Sequence, residues 1–242
     1  MKIKYLGHSA FLIRGRDKSV VTDPFGDIGY PMEKVKADYC LISHNHFDHD
    51  NVEGVESKKI IRRTEDGFLA IDTFHDPNLG KLRGKNVAFK FSVDGVTICH
   101  LGDVGEYMSD VLAEEIGKVD VMLIPVGGNY TIDGKEAANY VLSTHPKIVI
   151  PMHYKTPNLD IDVDSVDKFL MALGIPYETC GEEIEIDKNN LPTATKIIVL
   201  TAGRARGLSG KKIHLRGIEE HRHTRSEDYF ARRVRRYSRY SQ

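Results

Sequence analysis

LISHNHFDHD, residues 41–50, sets His44, His46, Asp48, His49 and Asp50 directly behind a short apolar run. A solvated polar turn has no need of so many imidazoles and carboxylates side by side. On an extended backbone, residues two apart share a face, so His44 and His46 can point the same way. Asp48 and His49 come just past the turn and can face a neighbouring position. Imidazole and carboxylate together suit divalent metals of hard to borderline character. The stretch therefore reads as part of a metal site whose remainder lies elsewhere in the chain.

Outward from it, apolar runs of strand length recur. They include KIKYLG from Lys2, SAFLIRG from Ser9, SVVTD from Ser19, DYCLIS from Asp38, FLAIDTF from Phe68 and VAFKFSV from Val87. Later come VTICHLGD from Val96, DVMLIPVG from Asp120, KIVIPMH from Lys147, EIEID from Glu183 and KIIVL from Lys196. Several are rich in Val and Ile and stop at Gly, Pro, Asp or His, as strands do. Helical patterns fall at 105–119, 133–145 and 162–175; Asp133 with Glu136 three residues on has the form of a capping box. Early strands and hairpins followed by alternating strand and helix predict two sheets packed together with helices outside, an α+β arrangement.

Four of these runs end in metal-capable residues. DYCLIS leads into His44, His46, Asp48 and His49; FLAIDTF into His75; VTICHLG into Asp103; KIVIPM into His153. In layered α/β proteins that strand edge is where loops assemble a site. Asp103 has two carboxylate oxygens and can bridge two ions. A pair of ions about 3.5–4 Å apart makes a bridging hydroxide available at neutral pH and also clamps a substrate oxygen. His100, three residues before Asp103, is expected on the opposite strand face and so in a structural role.

SHNHFDHD resembles the HxHxDH signature of the metallo-β-lactamase fold hydrolases. His75, LGD with Asp103 and PMHY with His153 come in that family's order, although the HxPGH context of many members is missing around His75. The resemblance covers residues 1–200. YLGHSAFLI, TDPF and PVGGNYTI make the chain similar to the branch containing ascorbate-6-phosphate lactonase. The resemblance implies a four-layer αββα sandwich with a dinuclear site at one edge of the paired sheets. It implies that His44, His46 and His75 hold one ion, that Asp48, His49 and His153 hold the other, and that Asp103 bridges. It also implies a catalytic role for Asp48 in orienting water or relaying its proton. The cofactors expected are two divalent ions, zinc first, with manganese or iron tolerated by the same donors.

Three further expectations attach to this branch. Asp23, ending a strand, can hydrogen-bond a ligand histidine and fix its tautomer. His8, also at a strand end, can face the cavity and contact substrate. GGNYTIDGKE runs from a strand end into a helix start, where Asn129 and Thr131 with free backbone N–H groups would suit a phosphate or carboxylate.

Composition fits a soluble protein: 242 residues, 40% hydrophobic and 29% charged. The formal charge of -1 hides an acidic body and a basic end, because residues 203–242 carry 12 Lys/Arg against 4 Asp/Glu. Two domains are therefore expected, a hydrolase domain over 1–201 and an Arg-rich extension over 202–242, in which Phe230, Val234 and Tyr237 form a thin stripe after Ser226. Three scattered cysteines without a CxxC pair point to a reducing compartment. The opening residues make a poor signal peptide, and no segment approaches membrane-spanning length. The expectation is a cytoplasmic metal-dependent hydrolase acting on a small ester, lactone or phosphodiester. The competing readings are a nuclease using the basic extension and a non-catalytic metal-binding module.

Overall fold

The computed structural model describes residues 1–203. Within them, strands β1 (Lys2–Gly7), β2 (Ala10–Arg14), β3 (Ser19–Thr22), β4 (Val35–Leu41) and β5 (Val55–Ile61) precede β6 (Leu69–Phe74), β7 (Lys85–Val93) and β8 (Val96–His100). The second half alternates: α1 (Asp110–Ile116), β9 (Val121–Pro125), α2 (Gly134–Thr144), β10 (Ile148–Met152) and α3 (Asp167–Leu173). Three short strands, β11 (Tyr177–Thr179), β12 (Glu183–Glu185) and β13 (Lys196–Val199), complete the set.

These strands make two sheets, ordered β12-β1-β2-β3-β4-β5 and β11-β13-β10-β9-β8-β7-β6. Both are mixed. The first is antiparallel through β1, β2 and β3 and parallel from β3 to β5. The second is antiparallel from β6 to β8 and parallel beyond.

Side-chain alternation explains how the layers meet. In β9, Val121 and Leu123 join the core between the sheets, alongside Phe11, Ile13 and Cys40 of the first sheet. Met122 and Ile124 point the other way, into a second core with Leu112 and Ile116 of α1, Tyr140 and Val141 of α2, and Phe169 of α3. β10 repeats the pattern, with Ile148 and Ile150 inward and Val149 outward. A strand buried on both faces reads as a continuous apolar run, as VMLIP and IVIPM do. Each fully buried Phe or Ile of these cores contributes roughly 2 kcal/mol by leaving water. The helices among the described residues all pack on the seven-stranded sheet, so the expected sandwich is present with its helical layer on that side.

Local chemistry sets the element ends. Asp133 caps α2, its Oδ1 accepting from the N–H groups of Lys135 and Glu136 at 2.9 and 2.8 Å. The reciprocal half of the predicted capping box does not form. Glu136 instead accepts from the Met108 N–H at 2.7 Å and the Asn139 amide at 2.8 Å. The first helix is shorter than its pattern, beginning after Ser109, whose hydroxyl accepts from Leu112 N–H at 3.2 Å. The Arg-rich extension, with Ser226, Phe230, Val234 and Tyr237, lies outside the described residues.

Candidate metal centre

Six strand ends deliver the polar cluster, three from each sheet. β1, β3 and β4 lead into His8, Asp23 and the 44–49 turn; β6, β8 and β10 lead into His75, Asp103 and His153. His8, Asp23 and His153 each have φ between 38° and 52°, left-handed backbone at non-glycine residues. Such strain clusters at functional sites and persists only where surrounding structure enforces it. Here the two sheets are also tied directly: the His153 N–H donates to His8 O at 2.9 Å.

Asp103 is the hub. The expected alternation from His100 does not reach it, because β8 ends at His100 and the chain kinks at Gly102, with φ +55°. A Cβ at Gly102 would lie 2.4 Å from Asn86 Oδ1 and 2.6 Å from Ser43 Cβ, so only glycine fits. Asn86 Oδ1 accepts the Asp103 N–H at 2.9 Å and fixes the backbone just beyond the kink. Asp103 Oδ2 then lies 3.1 Å from His49 Nε2, 3.2 Å from His153 Nε2, 3.3 Å from His75 Nε2 and 3.9 Å from His44 Nε2.

Two donor groups flank this carboxylate. His44, His46 and His75 form one, and His8, Asp48, His49 and His153 the other, with ligand atoms in each within 4.8 Å of one another. The partition matches the sequence expectation, with His8 added to the second group. His8 Nε2 lies 3.2 Å from Asp48 Oδ2, and its ring centroid is 4.2 Å from that of His153. Asp50, the last member of the opening stretch, faces away and pairs with Arg62 through both oxygens.

Hydrogen bonds outside the cluster select one tautomer for three histidines. Asp23 Oδ2 accepts from His49 Nδ1 at 3.1 Å and from Ser43 Oγ at 2.6 Å. With its own proton given to Asp23, the Ser43 hydroxyl accepts from His44 Nδ1 at 2.8 Å. His75 Nδ1 donates to the Tyr130 carbonyl at 3.0 Å. In the neutral ring each Nδ1 is thus a donor and each Nε2 has a lone pair directed at the cluster. Ser43, Asn86 and the Tyr130 carbonyl were not singled out from the sequence. Serine and asparagine so placed carry no motif, and a main-chain carbonyl carries no sequence signal at all.

Burial makes the cluster a candidate cation site. His49 is fully buried and Asp103 is 2% exposed. His44 Nε2, His49 Nε2 and Asp103 Oδ1 are buried without a hydrogen-bond partner, an arrangement that costs free energy unless a ligand satisfies it. Burial works against protonation at His49, yet the neighbouring Asp103 and Asp23 carboxylates outweigh it and hold its pKa well above the usual value. Burial pushes His44 down to about 2, reinforced by His49 beside it. The donor set, lone pairs and negative field all fit divalent metal.

The other expected residues sit at the periphery. Asn129, in left-handed backbone, donates its amide to the Asp162 carbonyl at 2.9 Å. The Thr131 hydroxyl donates to Ile132 O at 3.1 Å, and the first turn of α2 meets the Asp133 carboxylate. His100 lies between the sheets, its Nε2 donating to Ser9 O at 2.9 Å and its Nδ1 accepting from Gly102 N–H at 3.1 Å.

Residues 2–153 match the model of the beta-lactamase superfamily domain. A UPF0173 metal-dependent hydrolase of Archaeoglobus fulgidus is 33% identical over 232 residues, covering 78% of this chain and all of that protein. A UPF0173 metal-dependent hydrolase of Thermococcus kodakarensis is 33% identical over 228 residues, covering 77% of this chain and all of its own. Among solved structures, a metallo-β-lactamase superfamily protein of Thermotoga maritima, described as Zn-dependent, superposes with a TM-score of 0.69 at 37% identity. That match covers 82% of this chain and 97% of the other. With the two-sheet fold and the histidine-carboxylate cluster at its edge, these likenesses place the chain in the metallo-β-lactamase superfamily, among its metal-dependent hydrolases.

Proposed function

We propose that this hydrolase uses two divalent ions, zinc by preference, to cleave a small ester, lactone or phosphodiester. The observation that carries the reading is Asp103 Oδ2, which stands within 3.9 Å of imidazole nitrogens from both donor groups. Zinc is supported by the imidazole-rich donors and by the description of the Thermotoga maritima relative. When bound, such a pair of ions supplies a hydroxide nucleophile at neutral pH and polarises the substrate oxygen.

The chain's own residues do the rest. His44, His46 and His75 would hold one ion and Asp48, His49 and His153 the other, with the Asp103 carboxylate between the two groups. Asp23 and Ser43 keep His44 and His49 in the tautomer that can ligate. Asp48 is 13% exposed at its side chain, the most open carboxylate of the cluster, which suits it to meet water and relay a proton. His8 holds that carboxylate in place, and we assign it this role ahead of direct substrate contact. Asn129 ties the loop beside His75 to the Asp162 carbonyl, and Thr131 bonds within it. The nuclease alternative rests on residues 202–242, of which 204–242 lie outside the described structure.

Among the described residues no helix is long and apolar enough to cross a membrane. Cys40 and Cys99 are buried free thiols, which suits the reducing compartment proposed for the protein.

Metal content by mass spectrometry on protein purified without chelator tests the reading. Wild type should hold two equivalents of one transition metal, and Asp103→Ala one or none, with hydrolysis of aryl esters and lactones lost in parallel. At most one equivalent in wild type supplied with metal would sink the two-ion mechanism.

A further inference from the structure

The loop from His75 to Gly84 leaves β6 at a metal-site histidine and returns to it, the His75 N–H donating to Gly84 O at 3.1 Å. Asp76, fully buried, organises the interior. Its carboxylate accepts the N–H groups of Asn78 at 2.8 Å, Leu82 at 3.0 Å and Arg83 at 2.8 Å. The backbone of Arg83 is therefore bonded to the residue next after His75. On the opposite side, the Tyr130 carbonyl receives the His75 Nδ1 proton at 3.0 Å. The two loops meet where the Arg83 guanidinium lies over the Tyr130 ring, 5.5 Å from its centroid.

Among the described residues that guanidinium has no counter-charge. Among the described residues no carboxylate lies within ion-pair distance of Arg83, and Tyr130 is its one ring partner. Asp76, the acid closest in sequence, spends its oxygens on backbone N–H groups. Stacking on an aromatic face restricts the arginine while leaving its N–H fork free for bidentate contact with an oxyanion. Leu79 and Leu82 in the same loop, each exposed by 67%, and Phe47 beside His46, exposed by 72%, offer apolar surface for the uncharged part of a substrate.

We propose that Arg83, held by Tyr130, is an anion subsite at the mouth of the metal centre, and that the substrate is a small ester or lactone bearing a carboxylate or phosphate away from the scissile bond. The proposal rests on the hydrolase reading above and adds the substrate's charge. It also moves the anion contact from the start of α2, where Asp133 occupies the N–H groups, to the neighbouring loop.

The test compares metal-loaded wild type, Arg83→Met and Arg83→Lys on two kinds of 4-nitrophenyl ester. One is neutral, the butyrate; the others carry a terminal carboxylate, the mono esters of succinate, glutarate and adipate. The Asp76 bonds use the Arg83 backbone, so both variants keep the loop. Arg83→Met should raise KM for the best acidic ester about tenfold, the equivalent of one charge-assisted hydrogen bond. For the butyrate, kcat and KM should stay within about twofold, and Arg83→Lys should fall between. Free succinate and glycerol 3-phosphate, as competitive inhibitors of butyrate hydrolysis, separate carboxylate from phosphate by which one loses potency in Arg83→Met. Equal loss on neutral and acidic esters, or none on either, overturns the subsite. If metal-loaded wild type hydrolyses neither kind of ester, the ester part of the reading above fails. Calorimetric titration with the same two anions then decides the subsite alone: tenfold weaker binding to Arg83→Met sustains it, and equal affinity overturns it.

Discussion

His100 and His153 show at the scale of single residues what separates a structural histidine from a candidate ligand. Both are 1% exposed and both come after apolar strand residues. His100 has a partner on each ring nitrogen, Ser9 O and Gly102 N–H. His153 instead presents Nε2 to the Asp103 carboxylate, with Nδ1 unpartnered. Replacing His100 by alanine leaves the buried Gly102 N–H without a partner and the Ser9 carbonyl with the Thr22 hydroxyl alone, which costs about 2 kcal/mol, while metal content should stay at the wild-type value. Urea denaturation with metal analysis measures both, and loss of metal in His100→Ala would put that ring in the centre after all. The variant also has a pH signature. Burial lowers the His100 pKa from 6.5, so below that pH the unfolded chain takes up a proton that the folded chain refuses. The stability His100 contributes is complete above pH 6.5 and is lost as pH falls toward its lower folded pKa. His100→Ala should therefore lose less stability than wild type between neutral pH and that lower value.

Elements were legible where one physical signal dominated. The twice-buried strands β9 and β10 read as apolar runs because each faces two cores, and α2 announced itself through Asp133. Asp133→Ala should cost about 1 kcal/mol of stability with esterase kcat unchanged; a drop in kcat of the folded variant would tie the cap to the site instead. The failures have equally local causes. VESKKII in β5 is an edge strand with polar residues at its centre and a half-exposed pattern that does not read as core. The three residues of β11 are all exposed. Residues 105–108 looked helical, but a Cβ at Gly105 would lie 2.5 Å from the His75 carbonyl carbon and Met108 N–H is taken by Glu136. The cluster residues, and Asp23 beside them, were readable because strand ends are local, and the remaining groups that orient the histidines were not. Asn86 and the Tyr130 carbonyl act across 17 and 55 residues of sequence, and Ser43, although next to His44, takes its orientation from Asp23 across 20, distances at which composition says nothing.

For the molecule as a whole, the cluster is a joint between two sheets. His44, His46, Asp48 and His49 come from the six-stranded sheet and His75, Asp103 and His153 from the seven-stranded one, so ions bound there favour the folded state alone. A ligand present at a thousandfold excess over its Kd adds about 4 kcal/mol per site, and a domain of this size gains roughly 2–4 °C in Tm for each kcal/mol. Removing metal with a chelator should lower Tm by about 10 °C or more on that scale, and restoring zinc should recover it. The drop should also depend on pH in a definite direction. In the metal-free protein, Asp103 outweighs burial at His49 and His75 and holds both pKa values above 6.5. Their protonation stabilises the metal-free fold fully below pH 6.5, and this contribution is lost as pH rises through the raised folded values. Metal binding requires the same nitrogens unprotonated, so acid strengthens the metal-free form while it weakens the loaded one. Differential scanning calorimetry of loaded and chelated protein at pH 6 and pH 8 should find the larger gap at pH 8. A gap that is absent, or that widens toward pH 6, would mean that these histidines do not hold the ions.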